Sequence, residues 1–322
     1  MHDVVLIGAG RIGRIHAANA AQHPRLRLAG IVDPVPEAAA ALAAEHGSRV
    51  TTLDAALADP AVAGVIIASS TDTHLDYSLR AAAAGKAVFC EKPVDQDLAR
   101  AQAAAPTLAD ARVLIGFNRR FDPNFRALKA RLDAGAVGKL ESLQITSNDP
   151  SPPPPSYVAV SGGLYRDMAI HDFDMARWLL GGEEIVSVYA IGSCLVDPEI
   201  GRLGDVDTAR TVLTTVSGRL CVISNSRRSG FGYDQRIEAY GSAGMLRADN
   251  VLESTAQLWN ENGAANDRFR NFFLDRYADA YRAEMDHFAD VLDGAAPEIS
   301  FADGVAALAL ADTAARVGDL LR

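Results

Sequence analysis

Apolar and polar positions follow two different rhythms along the chain. Up to about residue 121, short β-branched apolar runs alternate with helical stretches. Residues 4–13 (VVLIGAGRIG) form an apolar run that breaks into glycines, 11–22 read as a helix, and 26–33 (LRLAGIVD) as a second strand. A helix over 37–47, a buried strand over 63–70, a helix over 73–85, a strand over 86–93, a helix over 97–110 and a strand over 111–121 follow. Strands and helices in this order predict a parallel, doubly wound sheet, whose ligands sit beyond the carboxyl ends of the strands. Beyond residue 122 the rhythm changes. A helix over 124–135 leads into a long alternating strand over 139–149, a turn-rich loop over 150–163 containing prolines 152–155, and a helix over 165–180. Long alternating segments then cover 184–197, 206–218, 219–228 and 233–250, the pattern of a largely antiparallel sheet with one face covered. Two amphipathic helices, over 268–293 and 302–321, close the chain.

The first glycine run carries chemistry. Gly8, Gly10 and Gly13 form G-x-G-x-x-G, with Arg11 and Ile12 between them, after a strand and at the start of a helix. Asp33 ends the next strand, twenty residues beyond Gly13. That is the context a dinucleotide fingerprint requires. One glycine permits the tight turn, the next lets the backbone approach the pyrophosphate, and the third lets helix and strand pack closely, while the helix N-terminus offers free N–H groups. Asp33 is placed to accept from the adenosine ribose hydroxyls, and it opposes a 2′-phosphate. Pro34, Val35 and Pro36 supply no Arg to offset that repulsion, so NAD is expected over NADP. The fold class is therefore α/β, with a Rossmann dinucleotide-binding domain over 1–121. A C-terminal α+β domain over 122–322, built on a large, mostly antiparallel open sheet, is expected to follow, and the last helix can pack back on the first domain.

Composition narrows the function classes. The 322 residues are 49% apolar, enough for packed interiors. A net charge of −10 argues against a nucleic-acid or anionic-membrane surface. Cys90, Cys194 and Cys221 are far apart and show no metal-ligand spacing, so neither a disulfide framework nor a metal site is expected. The N-terminal apolar run has no basic region before it and is too short for a signal or a membrane span, which makes the cytoplasm the expected compartment.

Other strand ends point at the same crevice: Ser69, Ser70, Thr71 and His74 after one strand, Glu91, Lys92 and Pro93 after the next, and Asn118 after the last. Lys92 follows an apolar strand into the crevice, and its bond to Pro93 can be cis. His74 reads equally as a helix cap or a contact on the cofactor side. In residues 165–180 (YRDMAIHDFDMARWLL), at about 100° per residue, Asp167, His171, Asp174 and Trp178 fall on one narrow stripe between Met168, Met175 and Leu179 on one side and Ile170 on the other. A wet helix face is broader and rich in Lys and Glu. A carboxylate at i beside an imidazole at i+4 orients the ring and supports its charge, as a general base needs, so the pair is preferred over Asp167 as a simple cap.

These segments together carry a resemblance. GAGRIGRIHAAN, the EKP triplet and GGLYRDMAIHDFDMARWLLGG resemble the Gfo/Idh/MocA oxidoreductase family. SNDPSPPPPSYVAVSGG, LVDPEIGRLGDVDTA, NSRRSGFGYDQRIEAYGS and GMLRADN are similar to its cyclitol-oxidising members. The resemblance implies Lys92, Asp167 and His171 as the catalytic set, and Tyr233, Asn148 and Asp149 beside the substrate. It also implies a cis Lys92–Pro93 bond, NAD as cofactor, and a homotetramer formed through the open sheet face. SSTDTH replaces the family's Thr-Pro-type turn, so the nicotinamide-side contacts follow less directly. The expected activity is NAD-dependent oxidation of a cyclitol ring hydroxyl, myo-inositol foremost. Scyllo-inositol or an aldopyranose such as glucose is the alternative substrate, and a non-catalytic NAD-binding sensor the alternative class. The proline loop reads as a substrate lid, a subunit contact or a stiff connector.

Overall fold

The computed structural model describes residues 1–319. The chain forms two compact units. One comprises Met1–Phe121 and Ala280–Leu308, the other Asp122–Asp279 and the stretch from Ala309 onward. The chain thus crosses between the units more than once.

The first unit holds five parallel strands, β1 (His2–Ile7), β2 (Leu26–Val32), β3 (Val62–Ile67), β4 (Ala87–Glu91) and β5 (Val113–Gly116), in the order β2-β1-β3-β4-β5. A sixth position exists in rudiment. Ile31 donates to Arg49 O and accepts from Thr51 N, forming a parallel bridge to Val50 at the outer edge of β2. Counting that bridge as a strand gives the 3-2-1-4-5-6 order of dinucleotide folds, with the direction of winding reversing between β1 and β3. A one-turn helix, Leu53–Ala58, follows the bridge and was not legible in the pattern; Thr52 caps it through Ala55 N. Each strand reads as an apolar run because both faces are covered. Gly64 shows how closely: a Cβ there would lie 3.0 Å from side-chain atoms of Phe288 and Leu292 on helix Ala278–Leu292.

The second unit carries a six-stranded sheet of β6 (Leu140–Asn148), β7 (Ile185–Ser193), β8 (Thr208–Thr215), β9 (Leu220–Ser226), β10 (Asp234–Gly241) and β11 (Gly244–Ala248), ordered β11-β10-β6-β9-β8-β7. Alternation assigns the faces. Leu143, Ile145, Leu213, Cys221 and Ile223 are buried on one side, while Tyr189, Leu220 and Tyr240 are exposed on the other. The sheet is antiparallel except at its centre, where β6 and β9 run parallel with Asn148 opposite Ser226. Periodicity within each strand says nothing of that pairing.

Two expected elements differ here, and the described part of a third matches its expectation. The loop over 150–163 contains a short helix, Pro155–Ser161, which Pro155 can open because the first helical N–H needs no partner. The helix expected from 268 begins at Ala278. Residues 268–270 are instead tied back, with Glu253 N donating to Arg268 O and Arg270 N to Val251 O, after a hairpin of β12 (Gln257–Asn260) and β13 (Gly263–Asn266). The last helix runs Phe301–Asp319, and residues 320 and 321 of the expected span lie outside the described residues. Among the described residues no helix is long and apolar enough to cross a membrane.

Candidate active site

At the β1 end the glycines take three separate roles. Gly8 has φ +105°, and a Cβ there would lie 2.4 Å from Ala68 O. A Cβ at Gly13 would lie 1.9 Å from Gly8 O, so helix Arg11–Gln22 and the turn touch backbone to backbone. A Cβ at Gly10 would meet nothing within 4 Å. Gly10 caps this helix without a side-chain bond, and the first turn holds no acid, so its N–H groups face an open cradle. Asp33 is fixed beside it, accepting from Ala9 N at 2.6 Å and Val35 N at 2.8 Å. The helix N–H groups at Gly10 could hold a pyrophosphate, and Asp33 could accept from a ribose. Arg11 and Ser70 are exposed, Ile12, Ser69 and Thr71 half-buried, around these strand ends.

At the β4 end the Lys92–Pro93 bond is cis, and Lys92 is half-buried. Glu91, expected on the cofactor, is buried and turned inward. Its Oε1 lies 2.7 Å from His16 Nε2, and its Oε2 accepts from the Lys92 backbone N–H at 3.3 Å. Glu284 lies fully buried nearby with both oxygens lacking hydrogen-bond partners. Burial and the neighbouring Glu91 carboxylate push it well above the usual carboxylate range.

His74 opens helix His74–Ala83, whose N-cap is Thr73, so it does not cap that helix. It is buried, with Nδ1 2.8 Å from Pro93 O and Nε2 3.1 Å from Ser69 O. Two carbonyls can both be satisfied only by imidazolium. Burial works against that charge, but Cys90 and the two carbonyls outweigh it and push the ring up to about 9. A histidine raised above its unfolded value near 6.5 stabilises fully below that pH, and its contribution is lost as pH rises towards 9. Melting scans should therefore show wild type losing stability between about pH 6.5 and 9 relative to His74→Gln. Parallel curves would remove the charge from His74.

The helix over 165–180 is broken in two. Helix Gly163–Asp167 ends, Ala169 N reaches back five residues to Leu164 O, and helix Ile170–Leu179 restarts. The slip invalidates a single wheel across the break. Asp167 and His171 are each half-buried, whereas Asp174 is fully buried, and Trp178 packs beneath Lys129 Nζ at 5.8 Å. Asp172, also fully buried, accepts from Asn225 Nδ2 at 2.7 Å, pinning the second helix to β9. Of the stripe expected from sequence, Asp167 and His171 are half-open, Asp174 is buried and Trp178 lies against Lys129.

Asp167 accepts from Tyr157 Oη at 2.9 Å and from Arg227 Nη2 at 3.1 Å. Tyr157 comes from the helix that follows the prolines. Arg227, 4% exposed, also reaches Asp149 through Nη1 at 3.1 Å. Burial opposes its charge, but Asp167 and Asp149 outweigh that and raise it further above the ordinary guanidinium value. Asn148 turns its amide to Asp234 Oδ2 at 3.1 Å. Burial pulls Asp234 upward, but Arg236, Asn250 and Asn148 outweigh it and hold the carboxyl below its usual range. Tyr233 is buried with its ring edge-on to Tyr277, 6.0 Å away.

Sequence reasoning missed His16, Glu284, Tyr157 and Arg227. His16 lies three residues past Gly13 and only the fold reveals its partner. Arg227 stood in a quoted segment, but nothing in one sequence announces which acid it meets. Among the described residues no group of three or more His, Cys, Asp or Glu side chains is placed to hold a metal ion.

Comparison with known proteins agrees with this geometry. The family model described as an oxidoreductase family with NAD-binding Rossmann fold matches residues 2–118, and that of the GFO/IDH/MocA C-terminal domain matches 125–247. The chain is 46% identical over 314 residues to the inositol 2-dehydrogenase of Rhizobium meliloti (strain 1021), covering 97% of this chain and 95% of that one. A crystal structure of a myo-inositol dehydrogenase from Corynebacterium glutamicum ATCC 13032 superposes with TM-score 0.95 at 42% identity, covering 100% of this chain and 98% of the other. The scyllo-inositol dehydrogenase from Lactobacillus casei, solved with NAD(H) and scyllo-inositol, gives TM-score 0.89 at 28% identity over 98% and 96%.

Proposed function

Because the chain belongs to the GFO/IDH/MocA oxidoreductase family and has its NAD-binding Rossmann domain, we propose that it oxidises a ring hydroxyl of a cyclitol, converting myo-inositol to 2-keto-myo-inositol (scyllo-inosose). The observation that carries this reading is the carboxylate of Asp167, fixed by Arg227 and Tyr157 four residues before the half-buried His171. His171 takes the hydroxyl proton at the reacting carbon. Asp167 orients the imidazole and supports the charge it acquires. Lys92 donates to the reacting oxygen and stabilises negative charge as the proton leaves. The loop of Gly8, Gly10 and Gly13 with Asp33, Ser69, Ser70 and Thr71 would hold NAD, which supplies the hydride acceptor when bound. Asp149 and Tyr233 are further contacts for the remaining hydroxyls, and Asn148 steadies Asp234 beside them.

The open sheet face supports a homotetramer, since Tyr189, Ile191, Leu220, Tyr240 and Met245 present a run of exposed apolar side chains there. Three free cysteines, two of them buried, suit the reducing cytoplasm. Scyllo-inositol is the second reading for substrate, favoured by the similarity to the Lactobacillus casei enzyme. The test is isotopic. Myo-inositol carrying deuterium on C2 should deliver it to NADH with a slowed rate; NADH free of deuterium would place the oxidation at another carbon.

A further inference from the structure

Arg227 owes its position to the one parallel pair in the second sheet. Because β6 and β9 run in the same direction with Asn148 opposite Ser226, the residues that follow them, Asp149 and Arg227, emerge side by side. Asp149 N donates to Ser226 O at 2.9 Å and Arg227 N to Asp207 O at 2.7 Å, so both backbones are fixed. The guanidinium then spans two carboxylates, one on each terminal nitrogen, at 3.1 Å. Its side chain is only 5% exposed, against 13% for Asp167 and 23% for Asp149. A buried cation shared by two acids is costly to maintain unless its geometry matters.

We propose that Arg227 is a positioning residue for the oxidation, a buried cation that keeps Asp167 ionised and correctly turned, divides its charge between Asp167 and Asp149, and so sets the pH at which His171 becomes an available base. This rests on the assignment of His171 as the base. The charged and titratable groups around Asp167 include Arg227, the Tyr157 hydroxyl and, across Arg227, Asp149. Asp205 binds Leu164 N at the other end of the same short helix, and Arg166 on that helix is paired with Asp312. Arg227 is in direct contact with the Asp167 carboxylate. Without it the Asp167 field acts more strongly on His171, favouring imidazolium. A base must be neutral, so activity would then require a higher pH.

The experiment is the pH profile of kcat/KM for NAD and myo-inositol, with melting curves, in wild type, Arg227→Lys, Arg227→Met and Asp149→Asn. Arg227→Lys keeps the charge and should leave the acid limb in place while lowering the rate, since a bidentate fork becomes a point donor. Arg227→Met should move the acid limb up by about one pH unit. Asp149→Asn leaves the cation to Asp167 alone and should move the limb down, which keeps the proposal testable if Arg227→Met fails to fold. A merely structural Arg227 would lower every rate and leave both limbs where wild type has them, and that result overturns the proposal. A wild type inactive on every cyclitol and aldose would instead overturn the reading on which it rests.

Discussion

His171→Ala is expected to lower kcat with myo-inositol by ~10²–10⁴-fold, the range for removing a positioned general base. NAD affinity should be unchanged, because His171 is not among the residues that would hold the cofactor. The melting temperature should move little, since His171 is half-buried and carries no packing role comparable to Phe173 or Met175, which are fully buried on the same helix. The measurement is steady-state turnover beside a fluorescence titration with NADH. A variant retaining near-normal turnover would remove His171 from the mechanism and leave Asp167 and Arg227 as a structural clamp.

The second large effect concerns two glycines that look alike in the motif and differ in the fold. Gly8→Ala puts a Cβ 2.4 Å from a backbone oxygen at a residue with φ +105°. Backbone cannot yield as a flexible side chain does, so strain and overpacking together should cost about 3 kcal/mol or more and abolish NAD binding. Gly10→Ala meets open space and should leave the melting curve near wild type. Its methyl would instead stand in the cradle at the helix N-terminus, so NADH affinity should fall at least about tenfold, the equivalent of roughly 1.4 kcal/mol. Equal effects of the two variants on stability, or an unchanged affinity in Gly10→Ala, would contradict the assignment of the cradle.

What the sequence made legible divides along a physical line. The β1 turn, Asp33 and the strand-end positions of Ser69 and Lys92 depend on neighbours within a few tens of residues, and local pattern contains them. Features set by pairing between distant segments were invisible. The parallel register of β6 and β9, which brings Asp149 to Arg227, leaves no mark on the alternation of either strand. His16 reads as one more residue of an Ala-rich helix until β4 places Glu91 against it. The break at Met168–Ala169 also escaped, because the residues there have ordinary helical character. The slip comes instead from Ala169 N bonding Leu164 O and from Asp172 being drawn to Asn225. His74 shows both sides: its place beyond a strand end was legible, and its two carbonyl partners were not.

The most direct test of the central claim is the initial rate of NADH formation from NAD with myo-inositol, scyllo-inositol and D-glucose, each supplied alone. Fastest turnover with myo-inositol is the predicted result. Turnover confined to glucose, or no NADH from any of the three, would contradict the account.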